Sequence, residues 1–362
     1  MWAVRQRQHL ASLAQHYKWL RAPYIIGAPM RVLAGPELAI QVSAAGGLGF
    51  IGPPANIADA ATDLAKAAEL ARASASSALR THLLNTGTLP VGIGFQTWTT
   101  DLKAALAALD QHKPCAVWLF APRHGQQELD EWTRQLRTIE PKPQIWIQVG
   151  TLKEAIAAVT SLLPPDVLVV QGAEAGGHGR ATDGLGLQAL FPEISDATGE
   201  SGIPLVAAGG IADGRGLAAA LSLGAAGAAM GTRLLAATEA RISGGYQQEV
   251  IRVADSAATT VRTQLYNHLR GTYGWPEEFA PRTVINKSWN EHQEGVPFEE
   301  LKKRHDEATR SGDAGWGPDG RLATYVGAAV GLVREIKPAA TIISETRDEA
   351  TAIFSSISNS FN

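Results

Sequence analysis

Short apolar runs recur between Tyr24 and Met230, each separated from the next by a helical pattern. The runs cover residues 24–30, 48–51, 90–95, 115–120, 144–149, 167–170, 205–208 and 225–230. The clearest helical stretches lie at 36–45, 55–79, 101–111, 126–136 and 152–163. The runs are nearly continuous rather than alternating, as expected of strands buried on both faces. Eight such strand–helix units predict a closed (β/α)8 TIM barrel rather than an open doubly wound sheet. A plain barrel needs about 250 residues, and this chain has 362. The excess falls after Thr238, where the pattern ends and a polar, aromatic region follows. The expected division is therefore a barrel with an N-terminal helix over 1–239, and a C-terminal lid or wrapping subdomain with terminal helices over 240–362. Within the second part, residues 322–336 read as a helix.

The bulk numbers exclude several classes. A net charge of −3 gives no basic surface for nucleic acid. No apolar run approaches the roughly 18 residues of a membrane span. One cysteine, Cys115, rules out an internal disulfide and a cysteine metal cluster, and its place within an apolar run suggests a buried, inert thiol. The histidines lack paired metal-ligand spacing, so no metal is expected. Before Glu37 there is no acid, while Arg5, Arg7, Lys18 and Arg21 are basic. This stretch reads as a basic amphipathic helix across the closed end of the fold, with a transit peptide as the alternative. The expected compartment is the cytoplasm, with mitochondria as the alternative.

In such barrels chemistry sits at the C-terminal ends of the strands, and phosphate sits after the seventh and eighth. Two glycine-rich stretches fall at those ends. Gln171-Gly172-Ala173-Glu174-Ala175-Gly176-Gly177-His178 reads as a loop after the sixth strand, carrying an amide, a carboxylate and an imidazole. Ala208-Gly209-Gly210-Ile211 and Met230-Gly231-Thr232-Arg233 follow the seventh and eighth. Gly209, Gly210, Gly231 and Thr232 would offer backbone N–H groups, with the Thr232 hydroxyl, to a phosphate. Asp213 is the expected N-cap of the helix after strand seven, whose positive end favours an anion.

Gln96, Gln148 and Gln171 lie at or just past the ends of strands three, five and six. Three amides at one barrel mouth suit a flat heteroaromatic ring with carbonyls and ring nitrogens, and with a phosphate anchor they point towards a flavin mononucleotide. Each amide taken singly reads as a strand-end side chain capping nearby backbone. His178 is the candidate acid or base, and Glu174 would orient the loop or the ring. His124, after strand four, is the only rival histidine at that face.

Together, Ala28-Pro29-Met30, Gln171-Gly172-x-Glu174-Ala175-Gly176-Gly177-His178, Ala208-Gly209-Gly210-Ile211 and Met230-Gly231-Thr232-Arg233 resemble the nitronate monooxygenase (2-nitropropane dioxygenase) family. The likeness runs from about residue 20 to 290. The segment from Thr260-Val261-Arg262 through Leu269-Arg270-Gly271-Thr272 to Trp275-Pro276 resembles its fungal-type branch. The resemblance implies a barrel holding FMN non-covalently. The family's flavin contacts would fall on Pro29, Met30, Gln96, Gln148, Gln171, Gly209, Gly210, Gly231 and Thr232, with Gly176 and Gly177 added from the loop. Gln96 stands where relatives often carry asparagine. His178 would be the catalytic histidine. The implied reaction oxidises alkyl nitronates with O2 to a carbonyl compound and nitrite.

Partners expected on this reading are a small-molecule substrate and O2, with a homodimer allowed and neither nucleic acid nor membrane. Two alternatives remain at this stage. One is an NAD(P)H-dependent FMN reductase of quinones or enoyl thioesters; the other is a flavin-free phosphate-binding barrel. His178 would either deprotonate a neutral nitroalkane or hold the anionic nitro oxygens. If it is the base, His178→Asn abolishes turnover of neutral nitroalkanes and spares preformed nitronates; equal turnover of both sinks that role.

Overall fold

Strand residues divide by parity, and the division builds the barrel. The computed structural model describes residues 2–360. Its strands are β1 (Ile25–Gly27), β2 (Leu48–Ile51), β3 (Leu89–Gln96), β4 (Pro114–Phe120), β5 (Gln144–Val149), β6 (Val167–Gln171), β7 (Gly177–Arg180), β8 (Leu205–Ala208), β9 (Gly227–Met230), β10 (Thr260–Arg262) and β11 (Phe279–Val284). Eight of them close in the order β1-β2-β3-β4-β5-β6-β8-β9, and every neighbouring pair is parallel. Outward residues such as Ile93, Val117, Ile147, Leu168 and Val170 pack in one buried cluster with helix residues. Inward residues such as Ile26, Phe50, Trp118, Trp146, Val169 and Val206 fill the lumen. Successive residues therefore bury on opposite faces, which explains the unbroken apolar runs.

Aromatic rings plug the lumen. Trp118 and Trp146 stack with centroids 5.8 Å apart, and Phe50 meets both edge-on at 5.2 and 5.1 Å. The Trp146 indole donates to the Tyr17 hydroxyl, at 2.9 Å. Tyr17 follows the helix Trp2–His16, and Leu13 of that helix joins the same buried cluster. The N-terminal helix thus closes one end of the barrel and leaves the other for the site.

Several expected elements differ. The 55–79 helical stretch is two helices, Asp59–Ala73 and Ser77–Thr86. The glycine-rich stretch after β6 does not stay a loop: Gly177–Arg180 becomes a strand, antiparallel to β11, which also pairs with β10. Residues 322–336 do not form the expected α-helix; only a 3-10 turn, Ala328–Leu332, forms there. Tertiary hydrogen bonds win over the apolar period. Thr324 accepts from the Val284 N–H, Tyr325 bridges Thr283, and the Ala328 N–H donates to the Glu174 carbonyl. The segment is consequently laid as an extended strap between the small sheet and the loop after β6. The last helix, Ala339–Ser360, returns to the barrel and packs on Gly214–Ser222 and Pro36–Ala44. Among the described residues no helix is long and apolar enough to cross a membrane.

The lumen has no room beside Phe50. A Cβ on Gly92 would lie 2.2 Å from that ring. Gly92→Ala should therefore destabilise the fold by about 1–3 kcal/mol, read as a lowered urea midpoint at unchanged slope. An unmoved midpoint would contradict this account of the lumen.

Candidate active site

The lumen's inward rows end in polar residues at the open mouth. Parity carries Trp146 to Gln148 on β5, Val169 to Gln171 on β6, and Gly94 to Gln96 on β3. These three amides open onto a cavity of about 950 Å³. Every residue expected at the site from the sequence lines it, from Pro29 and Met30 through Gly176, Gly177 and His178 to Gly231 and Thr232. Gln148 Oε1 accepts from the Trp118 indole at 3.0 Å, which leaves its amide N–H groups for a ligand. Gln171 Nε2 donates to the His178 carbonyl at 3.3 Å, which leaves its oxygen as the acceptor. The Gln96 amide has no protein partner among the described residues.

A glycine cradle lies in the same cavity. Gly209 and Gly210 are left-handed, with φ of 102° and 74°. A Cβ on Gly209 would lie 3.0 Å from the Gly172 carbonyl and 3.1 Å from the Ala175 N–H. At Gly231 a Cβ would project towards the Met30 sulfur, at 3.7 Å. Thr232 Oγ1 accepts from the Gly327 N–H at 2.9 Å and keeps its own proton to donate. Gly176 has a packing reason of its own, since a Cβ there would lie 2.3 Å from the Gly327 nitrogen.

One anion site differs from expectation. Asp213 does cap the helix Gly214–Ser222, accepting from the Gly216 N–H. The free end of that helix is taken from within the chain: the Gly214 N–H donates to Glu349 Oε2 at 2.7 Å. A carboxylate of the last helix already supplies the negative charge that this end favours.

His178 lies on β7, opposite Pro281. Its ring stacks on Trp275 with centroids 3.5 Å apart and planes 6° from parallel. Asn267 Nδ2 lies 2.9 Å from Nε2. Loss of solvent, then the nearby Arg262 guanidinium, push the His178 pKa down to about 3. Glu174 does not touch the ring; both its oxygens accept from the Leu187 N–H, at 2.9 and 3.0 Å, and so pin the loop to the start of the helix Leu187–Thr198. Arg262 holds the other side of the loop through the carbonyls of Gly177, Ala173 and Ala175. His124 is exposed beside the helix Gly125–Leu136 and does not line the cavity. Cys115 is buried, and burial pushes its thiol pKa up.

The cavity wall also includes Asn267, Trp275, Tyr325, Arg31 and Arg270, none of which the sequence assigned a role. Trp275 and Asn267 lie in the stretch resembling the fungal-type branch, but nothing in their spacing aims them at His178. Arg31 and Arg270 both line the cavity, and neither pairs with a carboxylate among the described residues. Among those residues no group of three or more His, Cys, Asp or Glu is placed to hold a metal.

Held near 3 in the fold, His178 titrates near 6.5 in the unfolded chain. Between those values the unfolded chain binds the extra proton, so stability rises with pH across the window and is lost as pH falls through it. His82, held at about 4 by burial, adds in the same direction. The stability of His178→Asn should fall less between about pH 7 and pH 5 than that of the wild type. Parallel stability curves for the two proteins would count against a neutral His178.

Residues 142–346 match the family model described as nitronate monooxygenase. A nitronate monooxygenase of Metarhizium robertsii is 60% identical over 357 residues, covering 99% of each chain. One from Neurospora crassa is 35% identical, covering 94% of this chain and 92% of its own. Among solved structures, FabK from Thermotoga maritima superposes with a TM-score of 0.72 at 23% identity, covering 96% of this chain and 98% of that one. A nitroalkane oxidase from Streptomyces ansochromogenes gives 0.70 at 22%, covering 96% and 99%. At such identities the two structures speak for the barrel fold alone. The family model and the full-length relatives settle membership: this chain, an oxidoreductase, belongs to the nitronate monooxygenase family.

Proposed function

We propose that the chain oxidises alkyl nitronates with O2 at a bound FMN, releasing a carbonyl compound and nitrite. The observation that carries the reading is the convergence of strand-end amides, the glycine cradle and His178 on one cavity. The residues suit FMN. The N–H groups of Gly209, Gly210, Gly231 and Thr232 would hold its phosphate. Gln148 would donate to the ring system, Gln171 would accept from it, and Gln96 would do either. Pro29 and Met30 would flank it. When bound, FMN supplies the electron acceptor that no side chain here provides.

The remaining work falls to this chain's own residues. Arg31 and Arg270, with no carboxylate partner among the described residues and Arg270 lying over the Tyr325 ring, favour an anion over its neutral conjugate acid. That selects a nitronate over a nitroalkane. His178 stands beside them, with one ring nitrogen left to the cavity. Trp275 and the lumen rings keep bulk water from the reacting end. Residues 240–335, which supply Asn267, Arg270, Trp275 and Tyr325, shape the pocket around the substrate as a lid.

The purified protein should show oxidised flavin absorbance, or gain it on adding FMN, and anaerobic ethylnitronate should bleach it while NADH does not. Bleaching by NADH would turn the reading into a reductase, and a protein that takes up no FMN would end it. Gln148→Leu removes one ring contact and should weaken FMN binding by roughly fivefold, the worth of one hydrogen bond.

A further inference from the structure

The hydrogen-bond direction around His178 can be traced from a group whose polarity is not in doubt. The Phe279 carbonyl can only accept, and Gln264 Nε2 lies 2.6 Å from it. The Gln264 amide is therefore fixed with its nitrogen on Phe279 and its oxygen free. That oxygen lies 2.6 Å from Asn267 Nδ2, which must donate to it. The opposite side of the Asn267 amide agrees: Oδ1 accepts from the Tyr325 hydroxyl at 3.3 Å. Asn267 is 1% exposed, so no water competes for these bonds. Turning the amide over would set two oxygens against each other at Gln264 and leave buried polar groups unpaired. The second hydrogen of Asn267 Nδ2 then points at His178 Nε2, 2.9 Å away.

A donor at that distance requires a lone pair on Nε2, so the ring proton of the neutral imidazole sits on Nδ1. Stacking on Trp275 resists the rotation that would exchange the ring's edges. Nδ1 has no protein partner among the described residues, and it is the nitrogen left to the cavity that His178 lines.

We infer that Asn267, locked by Gln264 and Tyr325, is a positioning residue that fixes His178 as the Nδ1–H tautomer, so that the imidazole meets the substrate as a hydrogen-bond donor and not as a base. This rests on the reading of His178 as the residue that contacts the nitronate. A nitronate oxygen accepts the Nδ1 proton at no chemical cost. A neutral nitroalkane finds no lone pair there to take its carbon-bound proton. The chain thereby prefers a substrate that reaches it already deprotonated, and it leans on solution ionisation or another catalyst to supply that anion.

The test reads the tautomer directly and the kinetics separately. The holoenzyme labelled with 15N-histidine, its His178 signals assigned by comparison with His178→Asn, should show a protonated Nδ1 and an unprotonated Nε2. Asn267→Asp places an acceptor on Nε2 and should reverse that assignment. Its kcat/KM for ethylnitronate should fall roughly tenfold through KM, the loss of one hydrogen bond to a charged group, while its kcat/KM for nitroethane rises. Asn267→Leu removes the lock without supplying an acceptor; it should raise the ethylnitronate KM and bring no gain with nitroethane. A protonated Nε2 in the wild type overturns the inference whatever the kinetics. A protonated Nδ1, with an ethylnitronate KM unmoved by both variants, overturns the substrate contact and with it the functional reading of His178.

Discussion

A half-buried guanidinium holds the mouth of this barrel together. Arg262 lies on β10 and has no carboxylate partner among the described residues; it spreads its charge over the carbonyls of Ala173, Ala175, Gly177 and Ala280. Those four groups belong to two segments a hundred residues apart in sequence. A glycine-dense loop has little side-chain packing of its own, so such carbonyl contacts do much to decide its path. Burial lowers the Arg262 pKa to about 10, which leaves it charged near neutrality. The same charge bears on His178 and helps to keep that ring neutral. One side chain thus shapes the loop and sets the electrostatics of the group that the loop presents.

What could be read from the sequence follows from which interactions are local. Strand parity is local, so the eight strands and the inward amides Gln96, Gln148 and Gln171 were legible from their runs and ends. The glycines after β8 and β9 were legible because the barrel's own geometry gives those positions meaning. Gly177–Arg180 was not, since Gly-His-Gly-Arg has no strand propensity and forms a strand only because β11 arrives to pair with it. The 322–336 segment misled for the same reason, its apolar residues being split between two buried clusters rather than set on one helix face. Asn267 had no signal at all. Its role depends on Gln264, Tyr325 and His178 meeting around one amide.

The electrostatic layout separates the helix end after β8 from the glycine turn beside it, which barrel logic alone would merge. The helix after β8 faces inward to its own chain, where Asp213 and Glu349 satisfy its first N–H groups. The cradle beside it keeps Gly209 and Gly210 in the left-handed region, where backbone N–H groups can face a ligand. The last helix thereby docks on the helix end after β8 and leaves the glycine turn beside it open to the cavity.

The two ends of the long segment between Ala237 and Lys337 stand side by side. Ala237 and Lys337 form a parallel bridge, with the Thr238 N–H donating to the Lys337 carbonyl and the Lys337 N–H to that of Ala236. Some hundred residues leave the barrel and re-enter it through one doorway, stitched shut at the threshold. Topologically the segment is an excursion made after the eighth barrel strand is already in place, and only the last helix follows it. Evolution can rewrite such an insert, and with it the pocket wall, while the strands beneath keep their register.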